Sequence, residues 1–208
     1  MVRTGFVFPG QGSQFVGMGA GLCGQETFRR VFTAAGRVLG RDLLELCLKG
    51  PREDLDRTLN TQLAVLAFEI ALLEILRERG LPDPMVMAGH SLGEYSAVYA
   101  AGALSLEQVF EVVSLRAKRH EEAVPAGSGA MAAVTGLPLE IVKHLLEESS
   151  GGEETVEVAN INAPNQAVVS GHARAVERVV DRAREAGARM VVPLPISVPC
   201  HCRLMEKA

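Results

Sequence analysis

The chain has no tryptophan and only two tyrosines, and aromatic residues make up 4% of it. Binding single-stranded nucleic acid by stacking bases on rings is therefore excluded as a main activity. A net charge of −4 also removes any general attraction to phosphate backbones. Cysteine is scarce: Cys23, Cys47, Cys200 and Cys202 include no C-x-x-C pair, and Cys200-x-Cys202 has no second ligand pair beside it. That spacing excludes the usual zinc frameworks, so four reduced and mostly buried thiols are expected, with no metal. No signal peptide is visible, and no apolar run reads as a membrane span. The expectation is a cytoplasmic protein without nucleic-acid or membrane partners. What the chain does have, 48% hydrophobic and 22% charged residues over 208 positions, suits one large domain or two small ones with a sizeable core.

Apolar periodicity divides the chain near residue 127. The first part alternates long helices with short strands. Gly5–Phe8 reads as a strand running into the glycine-rich turn Pro9–Gln14. A helix between Gly24 and Gly40 carries Phe28, Val31, Phe32 and Ala35 on one face. Asn60 or Thr61 is placed to cap a long helix ending at Gly80. Met85–Ala88 reads as a strand, and Ser105 caps a helix with Leu106, Val109, Phe110 and Val113 along its stripe. This pattern predicts an α/β fold with a parallel sheet. After Pro125–Gly129 the order changes to β-α-β-β-α-β, the split-βαβ, ferredoxin-like α+β unit. Its strands are expected at 130–134, 155–159, 166–170 and 188–194, with Asn160–Pro164 as a loop. The predicted organisation is a parallel-sheet α/β large subdomain over 1–127, an inserted ferredoxin-like small subdomain over 128–196, and a return segment over 197–208.

The most informative local pattern is Gly89-His90-Ser91-Leu92-Gly93, between a predicted strand and a predicted helix. G-x-S-x-G recurs by chance in many chains. In a strand–turn–helix context it is the nucleophile elbow, where a sharp bend exposes a serine Oγ and the glycines keep side chains out of the bend. The first amides of the following helix can stabilise an oxyanion. A serine hydroxyl needs a base, and histidine titrates near neutrality. His90 reads as an elbow packing residue, and His120, His144 and His172 read as surface residues. Pro199 stiffens the segment that holds His201. Arg116 lies three residues after Val113 and seven after Val109, at the edge of the apolar stripe. It either turns inward toward an anion, where its fork matches a carboxylate, or snorkels outward or pairs with an internal acid.

Phe8-Pro9-Gly10-Gln11-Gly12-Ser13-Gln14, the elbow with Glu94-Tyr95, the Arg116 helix and Ser197-Val198-Pro199-Cys200-His201-Cys202 occur in this order. Taken together, the chain resembles the malonyl-CoA:acyl-carrier-protein transacylases of bacterial fatty-acid synthesis. It is also similar to acyltransferase domains of polyketide and animal fatty-acid synthases. The resemblance implies ping-pong transfer of malonyl from coenzyme A to the phosphopantetheine thiol of acyl carrier protein. It assigns Ser91 as nucleophile, His201 as base, the amides of Gln11 and Leu92 as oxyanion hole, and Arg116 as the grip on the malonyl carboxylate. No cofactor is implied, because the coenzyme A thioester is the substrate.

Gln62 matches a glutamine near the active site of relatives, with Leu63 in place of the usual proline. Asn160 and Asn162 match the family's asparagine-rich loop, where ordering of water or of the His201 segment and simple turn formation explain them equally well. Cys200 stands where relatives commonly carry serine, which keeps the pocket entrance small-lined and favours malonyl over branched units. The resemblance also implies a further third beyond Ala208, supplying sheet strands and the carbonyl that orients the histidine. From these residues alone one expects an uncovered sheet prone to self-association and a loosely held His201. Arg182, Arg184, Arg189, Lys118 and Arg119 are candidate docking cations for an acidic carrier protein. Alternative readings are a polyketide-type acyltransferase, an α/β-hydrolase esterase, and a non-catalytic fragment.

Overall fold

The computed structural model describes residues 4–125, 127–196 and 198–208. Met1–Arg3, Ala126 of the expected hinge and Ser197 of the histidine segment lie outside these. The chain divides into two compact units, Met1–Ala117 and Lys118–Ala208.

In the first unit, β1 (Gly5–Phe8) and β2 (Val86–Gly89) pair in parallel, with Gly5 opposite Val86 and Phe8 opposite Gly89. Phe6, Phe8 and Met87 pack with Leu73 and Ala100, whereas Val7 and Val86 on the alternate positions are exposed. Six helices accompany the pair. They are α1 (Glu26–Leu39), α2 (Leu43–Lys49), α3 (Arg52–Leu55), α4 (Thr58–Glu78), α5 (Gly93–Ala100) and α6 (Leu106–Ala123), the last carrying the unit boundary. The stripe on α1 buries as its spacing requires: Phe28, Val31, Phe32 and Ala35 are all in the core, and Phe28 stacks on Phe32 at 4.6 Å between centroids. Each such ring contributes roughly 1.5–3 kcal/mol of burial. Gly40, at φ 76°, closes α1 in the left-handed conformation that only glycine adopts cheaply. Ser105 caps α6 in a reciprocal box: its Oγ accepts from the Gln108 amide, and Gln108 Oε1 accepts from the Ser105 amide.

Two expectations need correction here. Asn60 and Thr61 do not cap α4 but lie inside it. Asn60 Nδ2 donates to the Asp54 carbonyl at 2.7 Å and Thr61 Oγ1 to the Leu55 carbonyl at 2.5 Å, so their side chains serve the end of α3 while α4 starts at Thr58. In addition, α4 is by length and composition apolar enough to cross a membrane. Its apolar side chains, among them Leu63, Leu66 and Ile70, are instead buried in the protein core.

The second unit holds β3 (Gly129–Thr135), α7 (Leu139–Ser149), β4 (Val156–Ala163), β5 (Gln166–His172), α8 (Ala173–Glu185) and β6 (Met190–Pro193). The sheet order is β4-β5-β3-β6 with antiparallel neighbours throughout. α7 and α8 bury Val142, Leu146, Val176, Val179 and Ala183 with Val134, Val156 and Val169 of the sheet. Asn160 and Asn162, expected in a loop, lie within β4, which absorbs two register shifts over Val158–Ala163. The molecule is thus mixed α/β with a parallel strand pair in one unit and an antiparallel sheet in the other.

Candidate active site

The turn after β1 is built by its own side chains. Gln14 Oε1 accepts from the Gly12 amide at 2.8 Å, and Gln14 Nε2 donates to Asp56 Oδ1 at 2.8 Å, which ties the turn to α3. Ser13 Oγ donates to the Gly10 carbonyl at 3.0 Å. This explains why glutamine and serine recur with glycine in Pro9–Gln14: the glycines bend the backbone, and the polar side chains hold the bend. Gln62, fully buried on α4, donates from Nε2 to Gln11 Oε1 at 3.3 Å. Gln11 Nε2 and Gln62 Oε1 are buried without a hydrogen-bond partner among the described residues.

The elbow follows β2 directly. The His90 amide donates to the Phe8 carbonyl at 2.9 Å, and Ser91 then turns at φ 52°, left-handed backbone for a non-glycine residue. Such a conformation costs about 1–3 kcal/mol and persists only where the surroundings enforce it. The surroundings here are two glycines. A Cβ on Gly89 would lie 2.0 Å from the Gly93 carbonyl carbon, and a Cβ on Gly93 would lie 2.2 Å from the Phe8 carbonyl oxygen. The bend closes only because both lack one. Leu92 is buried and leads into α5, so its amide lies at a helix N-terminus. Neither the Gln11 amide nor the Leu92 amide donates to a backbone carbonyl among the described residues.

Arg116 turns inward. Its Nη2 donates to Ser91 Oγ at 3.2 Å, and its guanidinium lies 5.7 Å from the Tyr95 ring centroid. Of the two orientations open to it in the sequence, it takes the one beside the serine. The first unit therefore gathers Gln11, Gln62, Ser91, Leu92 and Arg116.

Asn160, Asn162 and His201 belong to the second unit. His201 has φ 62° and shares left-handed backbone with Ser91 alone among described non-glycine residues. Its segment makes several contacts within the second unit. The Pro199 ring fills the space over Gly129, where a Cβ would come within 2.4 Å of it. Cys200 packs with Met131, Val168 and Val198, and Arg203 pairs with Glu157 through both its amide and its guanidinium. Cys200 Sγ lies 3.5 Å from His120 Nδ1. His120 and His172 are half-buried rather than surface residues. His172 Nδ1 accepts from the Thr155 amide at 2.9 Å, which joins the turn before β4 to the end of β5. Cys23, Cys47 and Cys202 carry thiols outside any disulfide. Burial, with Asp42 nearby, pushes the Cys47 thiol up to about 12, and burial raises Cys202.

The sequence reading also missed Glu69. It sits on α4 almost wholly buried and accepts a short hydrogen bond from Ser96 Oγ on α5. The signal was present: it is the lone acid between Leu63 and Leu73 in a helix otherwise apolar there.

An acyl transferase domain profile matches residues 5–208. The chain belongs to this acyl transferase family. It is 44% identical, over all of its own length and 67% of the relative's, to the malonyl CoA-acyl carrier protein transacylase of Escherichia coli K12. It is likewise 44% identical to the Bacillus subtilis protein of that name, covering 66% of it. Malonyl CoA-acyl carrier protein transacylase from Coxiella burnetii superposes with a TM-score of 0.93 at 43% identity, over 99% of this chain and 65% of that one. A malonyl-transacylase in complex with a type II polyketide acyl-carrier protein gives 0.93 at 43%, over 99% and 67%. This acyl transferase chain thus spans about two thirds of the length of these relatives.

Proposed function

We propose that the chain transfers malonyl from coenzyme A to the phosphopantetheine thiol of an acyl carrier protein through a malonyl-Ser91 intermediate. In this reading His201 takes the Ser91 Oγ proton as the oxygen adds to the thioester carbonyl. The Gln11 and Leu92 amides receive the oxyanion. The tetrahedral adduct collapses with cleavage of the C–S bond, and His201 returns the proton to the departing coenzyme A sulfur. The carrier thiol then repeats the sequence in reverse, giving up its proton to His201 and leaving Ser91 protonated again. Gln62 borders the acyl site beside Gln11. Asn160 and Asn162 support the His201 side from β4. No cofactor takes part, and the setting is cytoplasmic. In this reading the chain comprises a hydrolase-like large subdomain over 1–127, a ferredoxin-like small one over 128–196, and 197–208 as the return segment.

The observation that carries the reading is Arg116 Nη2 at 3.2 Å from Ser91 Oγ. A fixed guanidinium beside the nucleophile suits an acyl group that ends in a carboxylate. A plain esterase has no use for it. The test is intact mass spectrometry after mixing with malonyl-CoA. An added malonyl group that maps to Ser91 and is lost in Ser91→Ala supports the reading, and acylation of that variant at the wild-type rate refutes it. The similarity to a transacylase seen with a polyketide carrier keeps a polyketide pathway as second reading. Rates with carriers of the two kinds separate them.

A further inference from the structure

Beneath the elbow, three elements converge on one carboxyl group. Glu69 lies two helical turns after Gln62 on α4, hence on the same side of the helix. Its Oε2 accepts from Ser96 Oγ, which is fully buried on α5 one turn after the elbow. Its Oε1 is buried without a hydrogen-bond partner among the described residues. Glu69 also lines a cavity of about 310 Å³ together with Phe6, Val7, Phe8, Leu72 and Leu76. Apart from Glu69 itself, the lining of that cavity is apolar. β1 and the Pro9 turn bring no titratable group, and on α5 Tyr95 lies against Arg116 while Tyr99 lies against Glu74.

We infer that Glu69 is a positioning residue, which holds α5 and the Ser91 elbow against the Gln62 helix through its buried hydrogen bond to Ser96. A neutral carboxyl suits this place. An ionised one would set a charge with one bare oxygen against apolar walls, which only admitted water or separation of α4 from α5 relieves. Burial pushes this group up to about 7, with the Ser96 bond opposing the rise. Ionisation strengthens the Ser96 bond itself but adds the cost of a buried charge, and that cost is the larger, so the packing of α4 on α5 loses stability as pH rises from the ordinary carboxylate range through about 7. Base catalysis by a histidine has the opposite sign and improves as pH rises, so the two effects occupy opposite limbs of one pH profile.

The kinetic part of this inference rests on Ser91 as the acylated residue; the structural part does not. The experiment therefore has two readouts on the same chain between about pH 5 and about pH 9. In the first, amide resonances of Leu92, Gly93 and Ser96 are followed by NMR, together with the side-chain carboxyl carbon of ¹³C-labelled glutamate. Wild type should show Glu69 and these amides titrating together with a midpoint near 7. Glu69→Gln should remove that titration. Ser96→Ala should move the midpoint upward, because it removes the bond that favours the charged form. In the second, the single-turnover rate of Ser91 acylation should fall on the alkaline side in wild type and lose that fall in Glu69→Gln. A carboxyl that titrates in the ordinary range, or amides that titrate identically in Glu69→Gln, overturns the inference even if acylation is normal. A uniform rate loss at every pH in that variant also overturns it, since that is what a merely structural residue gives. Absence of acylation at every pH with the NMR titration intact refutes the Ser91 reading and leaves the positioning role standing. If Glu69→Gln fails to fold, the wild-type carbon titration and Ser96→Ala decide the matter.

Discussion

Replacing Arg116 with alanine separates the two jobs its position allows. In the free protein the guanidinium donates to Ser91 Oγ at 3.2 Å and lies over the Tyr95 ring. In a malonyl-enzyme the acyl carboxylate would take that guanidinium as a bidentate, charge-assisted partner. Such a bond contributes about 1.5–3 kcal/mol, or roughly 10- to 150-fold in rate at about 1.4 kcal/mol per decade. Arg116 is half-buried, so water screens the pair only in part. Acetyl-CoA carries no carboxylate and loses nothing of this kind. The variant also frees the Ser91 hydroxyl from its donor, which acts on both substrates alike and cancels in their ratio. The measurement is kcat/KM for serine acylation by malonyl-CoA and by acetyl-CoA, in wild type, Arg116→Ala and Arg116→Lys. The malonyl value should fall by roughly 10- to 150-fold in the alanine variant, with acetyl changed by less than about threefold. Lysine keeps the charge but not the fork, so it should fall between. Equal losses for both substrates would refute the carboxylate role and leave Arg116 as a support for the elbow.

Gly93→Ala places a Cβ 2.2 Å from the Phe8 carbonyl oxygen, a backbone atom that cannot rotate away, so it should destabilise the first unit by about 1–3 kcal/mol or more, and an unchanged thermal midpoint would contradict the packing described. Of the five candidate docking cations, Arg119, Arg182 and Arg184 are paired with Glu122, Glu148 and Asp181, whereas Lys118 and Arg189 form no ion pair among the described residues. Charge reversal at Lys118 or Arg189 should therefore raise KM for the carrier protein and leave that for coenzyme A unchanged; no effect at either position removes them as docking residues. Val7, Met85 and Val86 are 83%, 71% and 63% exposed, so the 208-residue polypeptide should self-associate, with Val7→Lys reducing it; sedimentation of the wild type as a monomer at high concentration would refute this.

The parts of the fold visible in the sequence are those governed by local physics. The α1 stripe, the Ser105 cap and the alternation of strands and helices after residue 127 each repeat at the period of the element they form. What escaped was set by partners distant in sequence. Asn60 and Thr61 look like caps because nothing nearby shows that their side chains reach back to α3. Asn160 and Asn162 look like turn residues, yet pairing of β4 with β5 carries the strand through them by means of register shifts. Glu69 stands out in its helix as a lone acid, but its partner Ser96 lies 27 positions away and no periodicity joins them.

The candidate site divides in the same way. Ser91 could be found because its bend leaves a mark in the sequence: the glycines that the geometry requires stand two residues to either side. His201 leaves no such mark. Its left-handed backbone is held by Pro199 over Gly129, by Cys200 in a small apolar cluster and by Arg203 on Glu157, contacts that span up to 70 positions. Each of these two backbone strains costs about 1–3 kcal/mol. Each is also over-determined within its own unit, by close approach of backbone atoms in one case and by ring packing and an ion pair in the other. In the proposed reading these two described residues, a serine and a histidine, are the nucleophile and the base, and a bend enforced in this way fixes where each side chain leaves the backbone.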